Sequence, residues 1–330
     1  LVGAGLLFFV VVQLCLLVSA GQRPELYIGE AVPGLAFAFK LEPLGALFAF
    51  VASGLWIVNS FYSIGYMRGN RERNQTRFYI CFAIALCGAM GVAMAGNLFT
   101  LFIFYEVLTL STYPLVAHKG DEAAQRGARI YLLTLLGTSI GFLLTAIMWT
   151  WVLAGQSLDF VDGGLLANVE MSPVVASALL LLFVFGVGKA ALMPFHFWLP
   201  NAMVAPTPVS ALLHAVAVVK AGVFAVMKIS IYIFGDELLN ATPSREFIMD
   251  VACITIVVAS LIAMTKDNLK ARLAYSTVAQ LAYVTLGAML ADKAGVMGGS
   301  LQIAAHAVGK ITLFMCAGAI YVATGLTNIS

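Results

Sequence analysis

Eight ionisable side chains interrupt long apolar runs in this sequence: Glu106, Lys189, His196, His214, Lys220, Lys228, His306 and Lys310. Charged groups in apolar surroundings need partners or water, and they are suited to proton transfer where they find them. Glu106 stands in Phe102–Leu115 (FIFYEVLTLSTYPL), the one carboxylate deep in an apolar run. Two readings are open for it. It is a neutral carboxyl bonded to Thr109 or Thr112, or a proton-handling carboxylate tuned by a nearby lysine. Lys189 stands in Phe185–Pro200 (FGVGKAALMPFHFWLP), close to Gly186 and Gly188, with Pro194 five residues on. Pro194 lacks an N–H and clashes with the preceding turn, so a helix should open near Leu192–Pro194. A lysine one turn before such a break is placed to titrate. Paired with a carboxylate it is either a permanent structural pair or a proton switch. An isolated buried charge is costly, so Glu106 and Lys189 are expected to approach within about 4–6 Å or through water.

The remaining bases divide. His196 follows the break and is either a proton relay or a packing residue. His214 and Lys220 are six residues apart, about 240° around a helix, so they are not stacked on one face. They are expected on one water-lined path at different depths. Lys228 lies near a span end and is read as structural, its ammonium snorkelling to the interface. His306 and Lys310 are four apart and share a helix face. Two bases there repel when both are charged, so one proton at a time is expected unless an acid lies close. Pro194 is the expected helix-break residue.

No cofactor or metal is expected. Cys15, Cys81, Cys87, Cys253 and Cys316 all sit inside apolar runs with no Cys-x-x-Cys spacing, which argues against zinc or iron–sulfur ligation. No dinucleotide-binding glycine motif is present, so any redox chemistry would lie in partners.

Elements of a particular kind must position these residues. The 330 residues are 62% hydrophobic and 10% charged, and mean hydropathy is +0.97. Soluble domains carry about 45–50% apolar and about 25% charged residues. The composition excludes a cytosolic enzyme, a nucleic-acid binder and a disordered chain. The apolar stretches are continuous rather than alternating, so an all-α transmembrane bundle is expected and a barrel is not. Ten spans are read at 1–20, 44–67, 78–96, 99–117, 130–152, 174–199, 208–234, 247–265, 273–291 and 296–324. The boundary at Gly96-Asn97 is the softest. Two longer connections, 21–43 and 153–173, read as surface loops. Ten Lys and Arg residues fall on one side (Arg68, Arg71, Arg73, Arg77, Lys119, Arg126, Arg129, Lys266, Lys270 and Arg272) and four on the other (Arg23, Lys40, Arg245 and Lys293). The positive-inside rule then places loops 68–77, 118–129 and 266–272 in the cytoplasm. A multi-pass protein of the inner (cell) membrane is expected. Leu1 and Ser330 both adjoin apolar runs, and the chain reads as a fragment of a longer membrane subunit.

The run Lys189–Phe224 (KAALMPFHFWLPNAMVAPTPVSALLHAVAVVKAGVF) closely resembles the signature of the antiporter-like proton-translocating subunits. So do YSIGYM at 62–67, DNLKARLAYSTVAQLAY at 267–283 and HAVGKITLF at 306–314. Such subunits occur in respiratory complex I, membrane-bound hydrogenases and Mrp-type Na+/H+ antiporters. The stretch FYEVLTLSTYPLVAH at 104–118 looks most like an Mrp D-type subunit. The resemblance implies two inverted five-helix repeats, each with a broken helix. Residues 1–77 would be N-terminal helices, 78–234 the first repeat, and 247–330 the start of a truncated second. It implies that Glu106 and Lys189 form the family's switch pair. Lys220 and His214 would match the eighth-helix bases, and His306 and Lys310 the polar pair of the eleventh helix. The function implied is proton translocation in a multisubunit Na+/H+ antiporter. The alternative is a proton-pumping subunit of an NADH:quinone oxidoreductase or a hydrogenase. A silent scaffold is disfavoured by the retained Glu106 and Lys189. No catalytic chemistry is expected in this chain itself. The implied partners are other membrane subunits, protons, Na+ and the lipid bilayer, with no nucleic acid.

Overall fold

The computed structural model describes residues 1–32 and 34–330; Pro33, in the expected 21–43 loop, lies outside the described residues. The described chain forms α1 (Val2–Ser19), a hairpin of β1 (Glu25–Val32) and β2 (Leu35–Lys40), and α2 (Pro43–Gly69), α3 (Gln75–Ala93) and α4 (Leu98–Val116). There follow α5 (Glu122–Leu153), α6 (Pro173–Gly186), α7 (Thr207–Ala241), α8 (Ser244–Thr265), α9 (Leu269–Met289) and α10 (Lys293–Thr324). Eight of these helices are long and apolar enough to cross a membrane; α6 is apolar but shorter, and α9 is 21 residues long with more polar content. Large apolar side chains stay exposed along the outer helices, Leu6 and Phe9 on α1 and Ile254, Val257 and Leu261 on α8 among them. So wide an apolar surface requires lipid or partner subunits. The protein is a polytopic membrane helix bundle.

Side-chain caps start five of the ten helices. Asn97 caps α4, its Oδ1 accepting from Thr100 N at 2.8 Å, and this makes the soft Gly96-Asn97 boundary a true corner. Asp121, Ser172, Asn268 and Asp292 cap α5, α6, α9 and α10 in the same way, each satisfying a donor that the first turn leaves free.

Helix α7 is the axis of the molecule. Every residue from Thr207 to Ser230 is buried, and the helix packs on α2, α3, α4, α6, α9 and α10. It is not regular. Residues Leu212–Val216 form a widened π-type turn, and Ala217 leaves helical geometry at φ −121°, ψ −72°. Nothing in the apolar pattern foretold this second irregularity.

The 21–43 connection is not a loop but an antiparallel hairpin, with Glu25 opposite Lys40 and Leu26 opposite Phe39. Two register shifts and the exposed Leu26, Tyr27 and Ile28 blur the alternation that would betray strands. The hairpin shares one end of the bundle with the 153–173 connection, which runs without regular structure. Asp159 bridges Asn97, and Ala38 O accepts from Gly96 N at 2.8 Å. The loops rich in Lys and Arg gather at the opposite end. There Glu72 meets His118, and Lys270 Nζ donates to Ala205 O at 2.6 Å.

Candidate functional site

The break beside Lys189 begins earlier than Pro194. Helix α6 stops at Gly186, and residues 187–197 run as a short 3-10 turn and open turns before a single helical turn at Trp198–Asn201. Pro194 lies within this open stretch, downstream of where the ladder first fails. The cause is the close packing that glycine permits on both sides. A Cβ on Gly186 would lie 2.4 Å from Leu143 N, and one on Gly222 of α7 would lie 2.4 Å from the backbone of Lys189 and Ala190. Backbone groups freed by the break find side chains. Lys189 N–H donates to Tyr105 Oη at 3.1 Å, and Trp198 Nε1–H donates to Gly188 O at 3.0 Å. An open helix is tolerated at this depth because it is buried in protein.

Lys189 is fully buried. Its Nζ donates to Tyr105 O at 2.8 Å and Thr109 Oγ1 at 2.5 Å, both on α4, and lies 3.1 Å from the Tyr105 ring centre. Glu106 is on the same helix, yet no Lys189–Glu106 ion pair forms within 4.0 Å. The expected approach within about 4–6 Å or through water lies beyond that ion-pair limit, and within it a carbonyl and a hydroxyl hold the lysine. Neither Glu106 oxygen has a hydrogen-bond partner among the described residues. Thr109 and Thr112 give their hydroxyls to the α4 backbone, at Tyr105 O and Leu108 O, so the alternative partners are also unavailable to Glu106.

Lys220 and His306 meet across the α7–α10 interface, Nζ to Nδ1 at 2.5 Å, both buried. Lys310, one turn along α10, donates to Leu273 O at 3.0 Å and to Ser276 Oγ, both on α9. No acid faces this cluster within ion-pair distance among the described residues. His214 sits in the widened turn of α7, fully buried, its ring 4.7 Å from that of Phe314 on α10 and neither nitrogen hydrogen-bonded. The structure thus places Lys220 against His306 directly. His196 is half-buried beyond the break, its ring 6.3 Å from that of Tyr275 and its Nδ1 without a partner. A buried lysine–histidine contact with no counter-ion holds one proton more readily than two, which suits stepwise proton transfer.

Residues 95–330 match the family described as NADH:quinone oxidoreductase/Mrp antiporter, transmembrane region. The chain belongs to that family. It is 30% identical to the A/B subunit of a probable K(+)/H(+) antiporter of Rhizobium meliloti (strain 1021), over 96% of this chain and 32% of that protein. It is 31% identical to "NADH-quinone oxidoreductase subunit N" of Desulforudis audaxviator (strain MP104C), over 94% of this chain and 61% of that one. Its fold is similar to a chain in the structure of the Mrp complex from Dietzia sp. DQ12-45-1b, with a TM-score of 0.84 and 27% identity, covering 97% of this chain and 35% of that chain. The chain therefore spans between about a third and three fifths of these curated relatives. The relatives named are A/B and N subunits, so the likeness to a D-type subunit rests on sequence motifs.

In this NADH:quinone oxidoreductase/Mrp antiporter family member, sequence reasoning misplaced one lysine. Lys228 does not snorkel to an interface. It is 0% exposed and lies 2.8 Å from Glu42 Oε2, and Glu42 is itself 2% exposed. Glu106 is thus not the only carboxylate buried in the molecule. Glu42 escaped notice because it sits in the hairpin connection, outside every apolar run. Among the described residues no cluster of His, Cys, Asp or Glu is suited to hold a metal ion.

Proposed function

We propose that this chain is a proton-translocating membrane subunit of a multisubunit monovalent cation/proton antiporter. Protons pass along the buried line Glu106, Lys189, Lys220, His214, His306 and Lys310. The observation that carries this reading is the contact of Lys220 with His306, two bases sharing a buried site across two helices. Uncompensated ions at that depth are costly and are kept where they handle charge. Lys189 is adjacent, since the Gly222 backbone, two residues from Lys220, packs against it. The similarity to the probable K(+)/H(+) antiporter of Rhizobium meliloti supports the same reading.

Residues 78–234 form the first five-helix repeat in this proposal, after the N-terminal helices in 1–77, and 247–330 begin the second. The end bearing loops 68–77, 118–129 and 266–272 faces the cytoplasm, by the excess of basic residues there. Other membrane subunits cover the exposed apolar faces. The competing reading is the same kind of subunit in a quinone-reducing respiratory complex, supported by the similarity to NADH-quinone oxidoreductase subunit N. Co-purification separates the two: small hydrophobic antiporter subunits in one case, flavin and iron–sulfur subunits in the other.

The test is transport by the assembled complex in proteoliposomes. Lys189→Ala and Lys220→Ala should each lower proton-coupled transport by about a hundredfold or more, the range of a lost acid–base group. Wild-type transport by either variant in a well-assembled complex would remove the proposal.

A further inference from the structure

Lys228 and Glu42 take no part in the line just described. Four segments nevertheless converge on the Lys228 ammonium. It pairs with Glu42 Oε2 at 2.8 Å, at the start of α2. It donates to Ala95 O at 2.6 Å, in the α3–α4 corner. It stands 4.5 Å from the centre of the Phe160 ring, in the 153–173 connection. It is carried by α7 itself. Glu42 Oε1 accepts no hydrogen bond among the described residues, although the side chain is almost wholly buried.

This pair lies behind the wall of a cavity, with the Phe160 ring shared between the two. A space of about 580 Å³ opens at the acidic end of the bundle, lined by Glu25, Lys40, Gly96, Asp159, Phe160 and Asp162 among others. Phe160 belongs to both the cavity wall and the lysine's cage, Gly96 adjoins Ala95, and Lys40 is two residues from Glu42. Lys40 is engaged by Glu25 at 3.1 Å, so Asp159 and Asp162 leave the space net negative. At about 30 Å³ per liquid water it holds many molecules. On the inner side, Lys220 lies one helix stretch away, eight residues back along α7 and about 12 Å at 1.5 Å per residue. Between the two lysines Phe224 packs on Phe48, ring centres 5.0 Å apart and both buried. A buried acid–base pair thus stands between the Phe160 wall of this cavity on one side and a dry aromatic contact on the other.

We propose that Glu42 and Lys228 are a second proton-exchange pair, through which the acidic vestibule communicates with the buried line at Lys220, and that the Phe48–Phe224 contact closes this passage at rest. This inference rests on the proton-line reading above. In the exchange an N–H bond of the Lys228 ammonium breaks and an O–H bond forms on Glu42 Oε2. Glu42 then gives that proton to a vestibule water, and neutral Lys228 takes its next proton from the inner side. No electron changes hands.

The experiment is the double variant Glu42→Gln/Lys228→Met in the full complex, reconstituted in proteoliposomes. Removing both charges leaves no unpaired buried ion, so a merely structural pair is replaced with little harm. The expected result is an assembled complex with transport reduced about a hundredfold. An assembled double variant transporting at the wild-type rate overturns the inference. If the double variant does not assemble, Asp159→Asn/Asp162→Asn decides, since both side chains are exposed. Neutralising the vestibule should slow transport at low salt and flatten its dependence on ionic strength, and an unchanged salt profile overturns the inference. Lys189→Ala serves as the reference. Loss in Lys189→Ala without loss in the double variant sinks this inference alone, whereas wild-type rates in both sink the proton line as a whole.

Discussion

Lys189 is held by hydrogen bonds from one helix rather than by an opposite charge. Tyr105 O and Thr109 Oγ1 accept from its Nζ, while Glu106 on the same helix remains without a partner. A hydrogen bond to a charged group contributes about 1.5–3 kcal/mol. Thr109→Val keeps the shape and removes one acceptor. It should leave assembly intact and slow proton-coupled transport by about tenfold, the rate equivalent of about 1.4 kcal/mol. A transport rate equal to wild type would show that the hydroxyl is idle. At the basic end, beyond α4, His118 is buried and its imidazole is held below its usual range; burial outweighs Glu72 Oε2 at 3.9 Å. The folded protein thus binds this proton less readily than the unfolded chain. The stability this contributes is present above the unfolded value of about 6.5 and is lost as pH falls from there towards the lowered folded value. His118→Gln should flatten the acid-side decline in melting temperature of the purified protein. An undiminished slope between about pH 6.5 and pH 5 would contradict this.

At the scale of elements, two interruptions at the centre of the bundle hold candidate residues of the proposed proton line. The open stretch at 187–197 exposes the neighbourhood of Lys189, and the widened turn at 212–216 turns His214 towards Phe314. One regular stretch beyond the widened turn, Gly222 of α7 touches the backbone of Lys189 and Ala190. Backbone atoms cannot move aside as a flexible side chain does. Gly222→Ala should therefore destabilise by about 1–3 kcal/mol, the usual cost of overpacking. It should also lower transport, because the displaced strand carries Lys189. A melting temperature and transport rate both equal to wild type would show that the contact is looser than described. The neighbourhood of the break was legible in the chain, from Pro194 and the glycines before it. Its starting point was not, because Gly186 ends α6 through packing on Leu143, which no local pattern reports.

Over the whole molecule, charge is separated along the bundle axis. Arg68, Arg71, Arg73 and Arg77 lie with Lys119 and Lys270 at one end, and Glu25, Asp159 and Asp162 line the vestibule at the other. Positive-inside orientation then requires position 71 in the cytoplasm and position 162 outside. Single cysteines at these positions, in a background with the five native cysteines replaced, should react with an impermeant maleimide from opposite faces of the cell membrane. Labelling of position 71 from outside would invert the topology. It would also turn the vestibule towards the cytoplasm.

The sequence by itself determined the class of molecule, the approximate course of its ten helices and the inventory of bases within them. Hydropathy and basic-residue asymmetry are sums over local segments, so they survive without knowledge of the fold. The structure alone decided which buried groups meet. Lys220 and His306 are 86 residues apart, and Lys228 bonds to Ala95 O across 133. Glu42 looked like a loop residue until β2 and α2 carried it against α7. Lys189 announced a need for partners, and the packing on α4 supplied its ammonium with a carbonyl and a hydroxyl beside Glu106. A buried charge announces that it needs a partner, but many groups can fill that need, and only the packing of the helices selects among them.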